Sequence, residues 1–168
     1  MKNNIITLFA LFSMFLYSNT FEQNGVVQGN SRLSIGFYGE KEYKDNKSEL
    51  SIKIEGNYGR FISNNSEILL KVRDTTNLDY HNYKLDIAYS FYFLKQPTLT
   101  PYIGTELGIS GNTEINEDRV LNEQGLYFGF HKFFTEHIAL TPEVGIEFTN
   151  FNEMSENYFS LYLSYFFD

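Results

Sequence analysis

The alternation of apolar and polar side chains at every second position is the feature of this sequence that most constrains its fold. In the run from Tyr83 to Phe93, large apolar residues alternate with Lys84, Asp86 and Ser90. Successive side chains of a β-strand point to opposite faces, so such a run predicts a strand with one apolar and one polar face. Eight runs of about 8–12 residues lie between Arg32 and Phe167. The sequence therefore predicts an all-β chain, an eight-stranded antiparallel up-and-down barrel.

The connections between the predicted strands alternate in length. Polar segments follow the odd strands: GEKEYKDNK, RDTTNLDYHN, GNTEINEDRVLNE and NFNEMSEN. Tighter links follow the even strands: ISNNS, LKQPTLT and FTEH. Transmembrane barrels of the outer membrane have short periplasmic turns and longer outward loops. This asymmetry predicts that both ends of the barrel domain lie on the periplasmic side.

The first twenty residues have the order of a secretory signal peptide. Lys2 precedes the apolar stretch IITLFALFSMFLY, and the polar SNTFEQNG follows it. The apolar stretch is shorter than the roughly 20 residues that a membrane-spanning helix needs. We predict a signal peptide over 1–20 and an exported barrel domain over 21–168, with an uncleaved N-terminal anchor as the alternative. The net charge of -8 argues against a nucleic-acid binder, and the lack of cysteine excludes disulfides and thiolate metal sites.

The polar face of the predicted strands combines small residues with balanced charges. Glycines such as Gly104 and Gly129 suit a narrow interior. Ten charged residues share this face: Arg32, Lys53, Glu55, Lys71, Arg73, Lys84, Asp86, Glu106, Glu143 and Glu147. Five are positive and five negative, and buried charges need partners. The pattern predicts a lumen plugged by an ion-pair network.

The apolar face is too rich in bulky aromatic residues to fit inside a small barrel. The chain has 13 Tyr and 17 Phe, and this face is nearly free of charge along the middle of the strands. We therefore expect it to face lipid, which makes the chain an integral protein of the cell outer membrane. A soluble exported barrel is the alternative. Pro142 shares the apolar parity, and because proline cannot donate to a ladder we expect it at a strand start or a bulge.

The last twelve residues, NYFSLYLSYFFD, form the eighth predicted strand. Its apolar residues alternate with Ser160, Tyr162 and Ser164. We expect these apolar residues to face lipid and to serve as the signal read by the outer-membrane assembly machinery: Phe159, Leu161, Leu163, Tyr165 and Phe167. The strand is expected to pair with the first one and leave no free edge.

Three segments resemble a known family. TPYIGTELGIS (100–110) resembles the fifth strand of small outer-membrane barrels of the OmpA-like and opacity types. GLYFGFHKFFTEHIALTPEVGIEF (125–148) is similar to their sixth and seventh strands, and YFSLYLSYFF looks like their C-terminal assembly signal. The resemblance implies the fold and the location. It implies little about activity, since such barrels include adhesins, evasion factors and structural tethers.

Catalytic chemistry has little support in the sequence. A lipid-A-modifying enzyme on this scaffold would need a nucleophile activated by histidine, and the best candidate is a lumen dyad of His131 with Glu143 or Glu106. The alternative for His131 is a place in the polar lumen network. The acidic loop around Glu117 lacks the spacing of an EF-hand, so no metal or other cofactor is predicted. Ten lumen charges and eight strands also argue against a small-solute pore.

The outward loops are the remaining place for recognition. Loops on a rigid scaffold commonly carry binding residues. Apolar side chains among the loop charges are the candidates for contact with a host surface or another envelope component: Tyr43, Tyr80, Val120, Leu121 and Met154. The sequence thus favours a non-enzymatic, monomeric barrel that contacts outer-membrane lipids and lipopolysaccharide and uses its loops for envelope stability or adhesion.

Overall fold

The computed structural model describes residues 25–44, 47–76, 81–112, 120–149 and 153–168. These residues contain eight strands and no helix. The strands are β1 (Ser31–Lys44), β2 (Lys47–Ser63), β3 (Ser66–Thr76), β4 (His81–Tyr92), β5 (Leu99–Asn112), β6 (Val120–Phe133), β7 (Ile138–Thr149) and β8 (Glu153–Phe167). The predicted signal peptide lies outside the described residues.

The eight strands form one closed barrel in chain order, and every neighbouring pair is antiparallel. β8 pairs with β1 from Ser31↔Phe167 to Glu40↔Tyr158. The closing strand therefore has no free edge, which removes the template that an exposed edge offers for aggregation. The predicted fold class and the closure of the last strand on the first are confirmed.

The polar connections are shorter than predicted. β1 continues to Lys44 and β2 begins at Lys47, so the segment GEKEYKDNK is mostly strand. β6 already begins at Val120, inside the segment predicted as the longest loop. The strand ends predicted from polar composition are therefore wrong at these connections, because backbone pairing does not require apolar side chains. The short links are close to prediction, with FTEH lying between Phe133 and Ile138. We call the end of the barrel that carries these links the turn end and the opposite end the loop end.

The outer surface of the barrel is apolar around its circumference. Large exposed side chains come from all eight strands, including Ile35 at 63%, Ile87 at 64%, Leu107 at 58% and Leu163 at 56% exposure. A water-soluble protein rarely exposes so large a contiguous apolar surface. Lipid-facing apolar residues alternating with interior polar ones are typical of a transmembrane barrel. Among the described residues no helix is long and apolar enough to cross a membrane.

Pro142 lies in the interior of β7, so its expected place at a strand start or a bulge is wrong. It pairs with Leu161 of β8, whereas the register irregularity of β7 falls at Glu147 and Phe148. On the β6 side, the register passes from Gly129↔Glu143 to Lys132↔Leu140 without the two pairs between them. The missing proline N–H explains this gap in the β6–β7 ladder.

Candidate functional site

The lumen is the candidate site, and paired small and large residues make its packing possible. Gly104 lies opposite Tyr127, and Gly145 lies opposite Tyr158. A Cβ atom at either glycine would collide with the facing tyrosine ring. The small residues of the polar face therefore leave room for large side chains that reach across from the neighbouring strand, and do not leave an open channel at these positions.

Lys71 holds together a cluster of buried charged residues in the middle of the lumen. Its Nζ lies 2.8 Å from Glu106 Oε2 and 2.9 Å from Glu143 Oε1, and all three side chains are buried. Glu143 also accepts hydrogen bonds from Tyr102 (2.9 Å) and Tyr158 (3.2 Å). Charge-assisted hydrogen bonds of this length are among the strongest polar contacts in proteins. The three side chains come from β3, β5 and β7, so the cluster spans the barrel.

Arg73 organises the lumen nearer the loop end. Its guanidinium lies 2.8 Å from Glu55 and 3.2 Å from Glu147. It also stacks on the ring of Tyr38, with 3.6 Å between Cζ and the ring centroid. Tyr162 donates a 2.8 Å hydrogen bond to the other oxygen of Glu55. A planar guanidinium suits both contacts because it combines a hydrogen-bonding fork with a flat stacking face.

Lys84 is surrounded by four carboxylates. Its Nζ lies 2.7 Å from Glu123, 2.7 Å from Glu147, 3.6 Å from Asp86 and 4.0 Å from Glu106. These residues come from β4, β5, β6 and β7. One ammonium group therefore joins four strands, and carboxylates outnumber cations around it.

Six hydrogen bonds link seven side chains across the lumen at the turn end, and the β1 backbone between Arg32 and Ser34 completes the circuit. It runs in the order Ser34, Ser164, Thr141, His131, Tyr92, Glu67 and Arg32. Neighbouring polar atoms along it lie 2.6–3.0 Å apart, and every member is buried. The ring starts on β1, visits β8, β7, β6, β4 and β3, and returns to β1. We call it the turn-end ring.

The donor and the acceptor of each neighbouring bond in the turn-end ring follow from Glu67, whose carboxylate can only accept hydrogen bonds. A carboxylate only accepts, so Tyr92 donates to it over 2.6 Å. Tyr92 then has only its oxygen left for His131, whose Nε2–H must donate over 3.0 Å. A neutral imidazole accepts at its other nitrogen, so Thr141 donates to Nδ1 over 2.8 Å. This last bond also joins β6 to β7 across the ladder gap at Pro142.

Aromatic rings form a layer beside the turn-end ring. Its members are Phe61, Tyr92, Tyr102, His131, Phe133 and Phe166. Contacting rings lie 4.9–6.1 Å apart between centroids. Val26 is buried below this layer, and Lys95 Nζ donates to the Val26 carbonyl over 2.9 Å. Partial burial lowers the pKa of Lys95. We call this layer, together with Val26, the aromatic floor.

The ten charged residues predicted for the lumen face inward, and nine of them belong to the ion pairs just described. The tenth, Lys53, is half-buried and lies 5.7 Å from the ring centroid of Tyr38. Two further carboxylates were missed, Glu67 and Glu123. Both have the lumen parity of their strands, so extending the alternation beyond the predicted runs would have found them.

The outward candidates lie at or beyond the edge of the described structure. Tyr43, Val120, Leu121 and Met154 belong to strand ends rather than loops, because the strands are longer than predicted. Tyr80 lies outside the described residues. The residues proposed as assembly signal share the outward parity of β8. Phe159, Leu163 and Tyr165 are exposed, and Leu161 and Phe167 are half-buried.

The surroundings of His131 do not assemble a catalytic dyad. Its two ring nitrogens contact Tyr92 and Thr141, whereas Glu106 and Glu143 hold Lys71. The side chain is fully buried within the aromatic floor. Among the described residues no group of three or more His, Asp or Glu is placed to hold a metal ion.

Comparison with known proteins finds the same architecture. No protein-family model and no curated protein matches the chain. The N-terminal barrel domain of OprF from Pseudomonas aeruginosa superposes with a TM-score of 0.67 at 18% identity, covering 83% of this chain and 98% of that one. Neisserial surface protein A gives 0.63 at 14% identity, covering 83% and 99%. Ail, the attachment invasion locus protein of Yersinia pestis, gives 0.55 at 13% identity, covering 84% and 100%.

These likenesses establish the fold. A closed eight-stranded barrel with an apolar outer belt and a charged interior is the architecture of an integral outer-membrane protein. The predicted membrane barrel and its location are thereby confirmed.

Proposed function

We propose that the protein is a non-enzymatic outer-membrane barrel whose lumen is closed and whose loop end carries its function. The observation that supports this most is the filling of the interior by side chains that bond to one another. Ion pairs occupy the middle and the loop end, and the turn-end ring and aromatic floor occupy the other end. An interior so occupied serves as a rigid scaffold rather than as a path for solutes.

Single-channel recording in planar lipid bilayers tests the closed lumen. The purified barrel should give no steady conductance. A variant that shortens the aromatic floor, Phe61→Ala with Phe166→Ala, serves as the comparison because both rings are buried there. A large, steady conductance of the wild-type protein would show an open pore and overturn this part of the proposal.

The loop end is the proposed recognition surface for envelope stability or adhesion. Its candidates are Tyr43, Tyr80, Val120, Leu121 and Met154. Ail, which has the same fold, has been solved in complex with the heparin analogue sucrose octasulfate. One structural neighbour with this fold has thus been observed with a bound ligand, which supports a binding role here.

A binding assay on intact cells tests this surface. Cells displaying the protein should adhere to host-cell or matrix-coated surfaces better than cells without it. Replacing all five candidates by Ser should abolish the gain. Phe134→Ser is the matched control, because Phe134 is an exposed aromatic residue at the turn end. Equal adhesion of the five-fold variant and the wild type would remove these residues from the proposal.

The lipid-modifying alternative predicts a different phenotype. If His131 acts on acyl chains of lipid A, then His131→Ala must change their pattern in mass spectra of extracted lipid A. The non-enzymatic proposal predicts identical spectra for wild type and variant when both are present at equal amounts in the outer membrane. The buried position of His131 between two hydroxyl groups supports the second outcome.

Contact with the outer-membrane assembly machinery is proposed for the outward residues of β8. Phe159, Leu161, Leu163, Tyr165 and Phe167 alternate up to the penultimate residue. Phe167→Ala should reduce the heat-modifiable, folded fraction in cells, whereas removal of Asp168 should not. We propose that the folded barrel is a monomer surrounded by phospholipid and lipopolysaccharide.

A further inference from the structure

The ion-pair network in the middle and loop-end parts of the lumen carries an excess of negative charge. Its described members, linked by contacts of 4.0 Å or less, are Lys71, Arg73, Lys84, Glu55, Asp86, Glu106, Glu123, Glu143 and Glu147. Three cations thus meet six carboxyl groups. Lys53 adds one positive charge beside the network, over the ring of Tyr38. Uncompensated charge in a low-dielectric interior is costly, and a proton bound by one of these carboxyl groups reduces the excess among the described residues.

Asp86 is the member of this network with the poorest set of partners. Both of its carboxyl oxygens are inaccessible to solvent and receive no hydrogen bond. The cation in contact with it among the described residues is Lys84, at 3.6 Å, and Lys84 lies closer to Glu123 and Glu147, at 2.7 Å each. A buried polar side-chain atom ordinarily has at least one hydrogen-bond partner.

Glu106 offers an acceptor next to Asp86. The two residues lie on adjacent strands, with Asp86 opposite Gly108 and Glu106 opposite Ala88. Both flank the same Lys84 ammonium group, and Glu106 Oε1 receives no hydrogen bond. Two neighbouring carboxyl groups with an unused oxygen each can share one proton, which lowers their repulsion.

A metal ion would compensate the excess negative charge around Asp86 less well than a proton. The Lys84 ammonium already lies between the carboxylates, and a second compact cation would repel it. No group of three acidic or histidine side chains in the described structure is arranged to hold a metal.

From these contacts we infer that the lumen contains a proton-binding site at Asp86. Asp86 is a neutral carboxylic acid in the folded barrel, and its O–H donates toward Glu106 Oε1. The charged groups around it are Lys84 on its own strand, Arg73 of β3, Glu106 of β5 and Glu147 of β7, and Glu123 of β6 contacts the same Lys84. The site goes beyond the proposed function, since a closed lumen does not require a bound proton.

Infrared spectroscopy of the barrel in lipid vesicles tests the assignment directly. At neutral pH the wild-type protein should show the C=O stretching band of a protonated carboxyl group, and Asp86→Asn should lose it. Asp74→Asn is the matched control, because Asp74 lies on β3 but is exposed on the outer face. Absence of the band in the wild type, or its persistence in Asp86→Asn, overturns the inference.

The pH dependence of stability provides a second, independent measurement. An unfolded Asp86 is ionised at neutral pH, so folding takes up a proton and stability falls as pH rises above the ordinary pKa of aspartate. One proton changes the unfolding equilibrium constant by up to tenfold per pH unit. Asp86→Asn should flatten this dependence, and Asp74→Asn should retain it. If Asp86→Asn instead destabilises the barrel equally at every pH, Asp86 is an ionised partner of Lys84 and the inference fails.

Discussion

Replacement of Lys71 by Met tests the energetics of the lumen most directly. Methionine keeps most of the length of the side chain and removes its charge. Lys71 is the shared partner of Glu106 (2.8 Å) and Glu143 (2.9 Å), and its ammonium lies 3.9 Å from the ring centroid of Tyr127. Without it, two buried carboxylates lose their nearest cation.

The remaining contacts set the expected size of the effect. Glu143 keeps two hydroxyl donors, from Tyr102 at 2.9 Å and Tyr158 at 3.2 Å. The cation of the described structure that stays in contact with Glu106 is Lys84, at 4.0 Å. Removing one partner of a buried ion pair costs about 3–5 kcal/mol, and the two hydroxyl donors place Lys71→Met at about 3–4 kcal/mol. That is a large part of the roughly 5–15 kcal/mol that stabilises a typical domain.

Urea titration in lipid vesicles measures this difference. The chain has no Trp, so the folded fraction is read from the mobility of unheated samples on gels and from far-ultraviolet circular dichroism. A triple variant, Lys71→Met with Glu106→Gln and Glu143→Gln, should recover most of the lost stability because neither position then carries a carboxylate that has lost the Lys71 cation. The reasoning is refuted if the single variant lies within about 1 kcal/mol of the wild type, or if the triple variant is no more stable than the single one.

Three further substitutions probe other parts of the barrel. Leu163→Arg places a charge on the lipid face and should cost about 2–4 kcal/mol in the same titration, whereas Leu163→Ile should be tolerated. His131→Ala removes one bonding partner from each of two buried hydroxyl groups and should cost about 2–4 kcal/mol, with loss of amide protection along β6 and β7 in hydrogen exchange. Gly104→Ala drives a methyl group into the Tyr127 ring and should cost about 1–3 kcal/mol, which Tyr127→Ala in the same chain should relieve.

The barrel and the orientation of its faces could be predicted because they depend only on period-two alternation. Charged residues at lumen parity whose side chains the structure describes, such as Lys71 and Glu106, are buried. The strand ends could not be predicted, since residues 40–44 are polar and still pair along β1. The polarity of a side chain indicates which surface it contacts, whereas strand pairing depends on backbone hydrogen bonds to the neighbouring strand.

The sequence also could not predict which side chains bond to one another in the lumen. In the sequence Ser164 is one small polar residue of the alternation, yet in the barrel it bonds to both Ser34 and Thr141. The pairing of Arg32 with Glu67 likewise depends on the position of both side chains in the closed barrel. Such contacts follow from barrel register, which the alternation of one strand does not specify.

The turn-end ring has a consequence for the order of folding. Ser34 and Ser164 are 130 residues apart in the chain, and their bond exists only when β8 has reached β1. Loop-closure entropy opposes contacts of such separation, and they form late. Until that moment both bonds of Ser164, to Ser34 and to Thr141, are missing. The arrival of β8 therefore ties Thr141 of β7 to Ser34 of β1 through Ser164, and it completes a circuit whose other four bonds lie between the remaining strands.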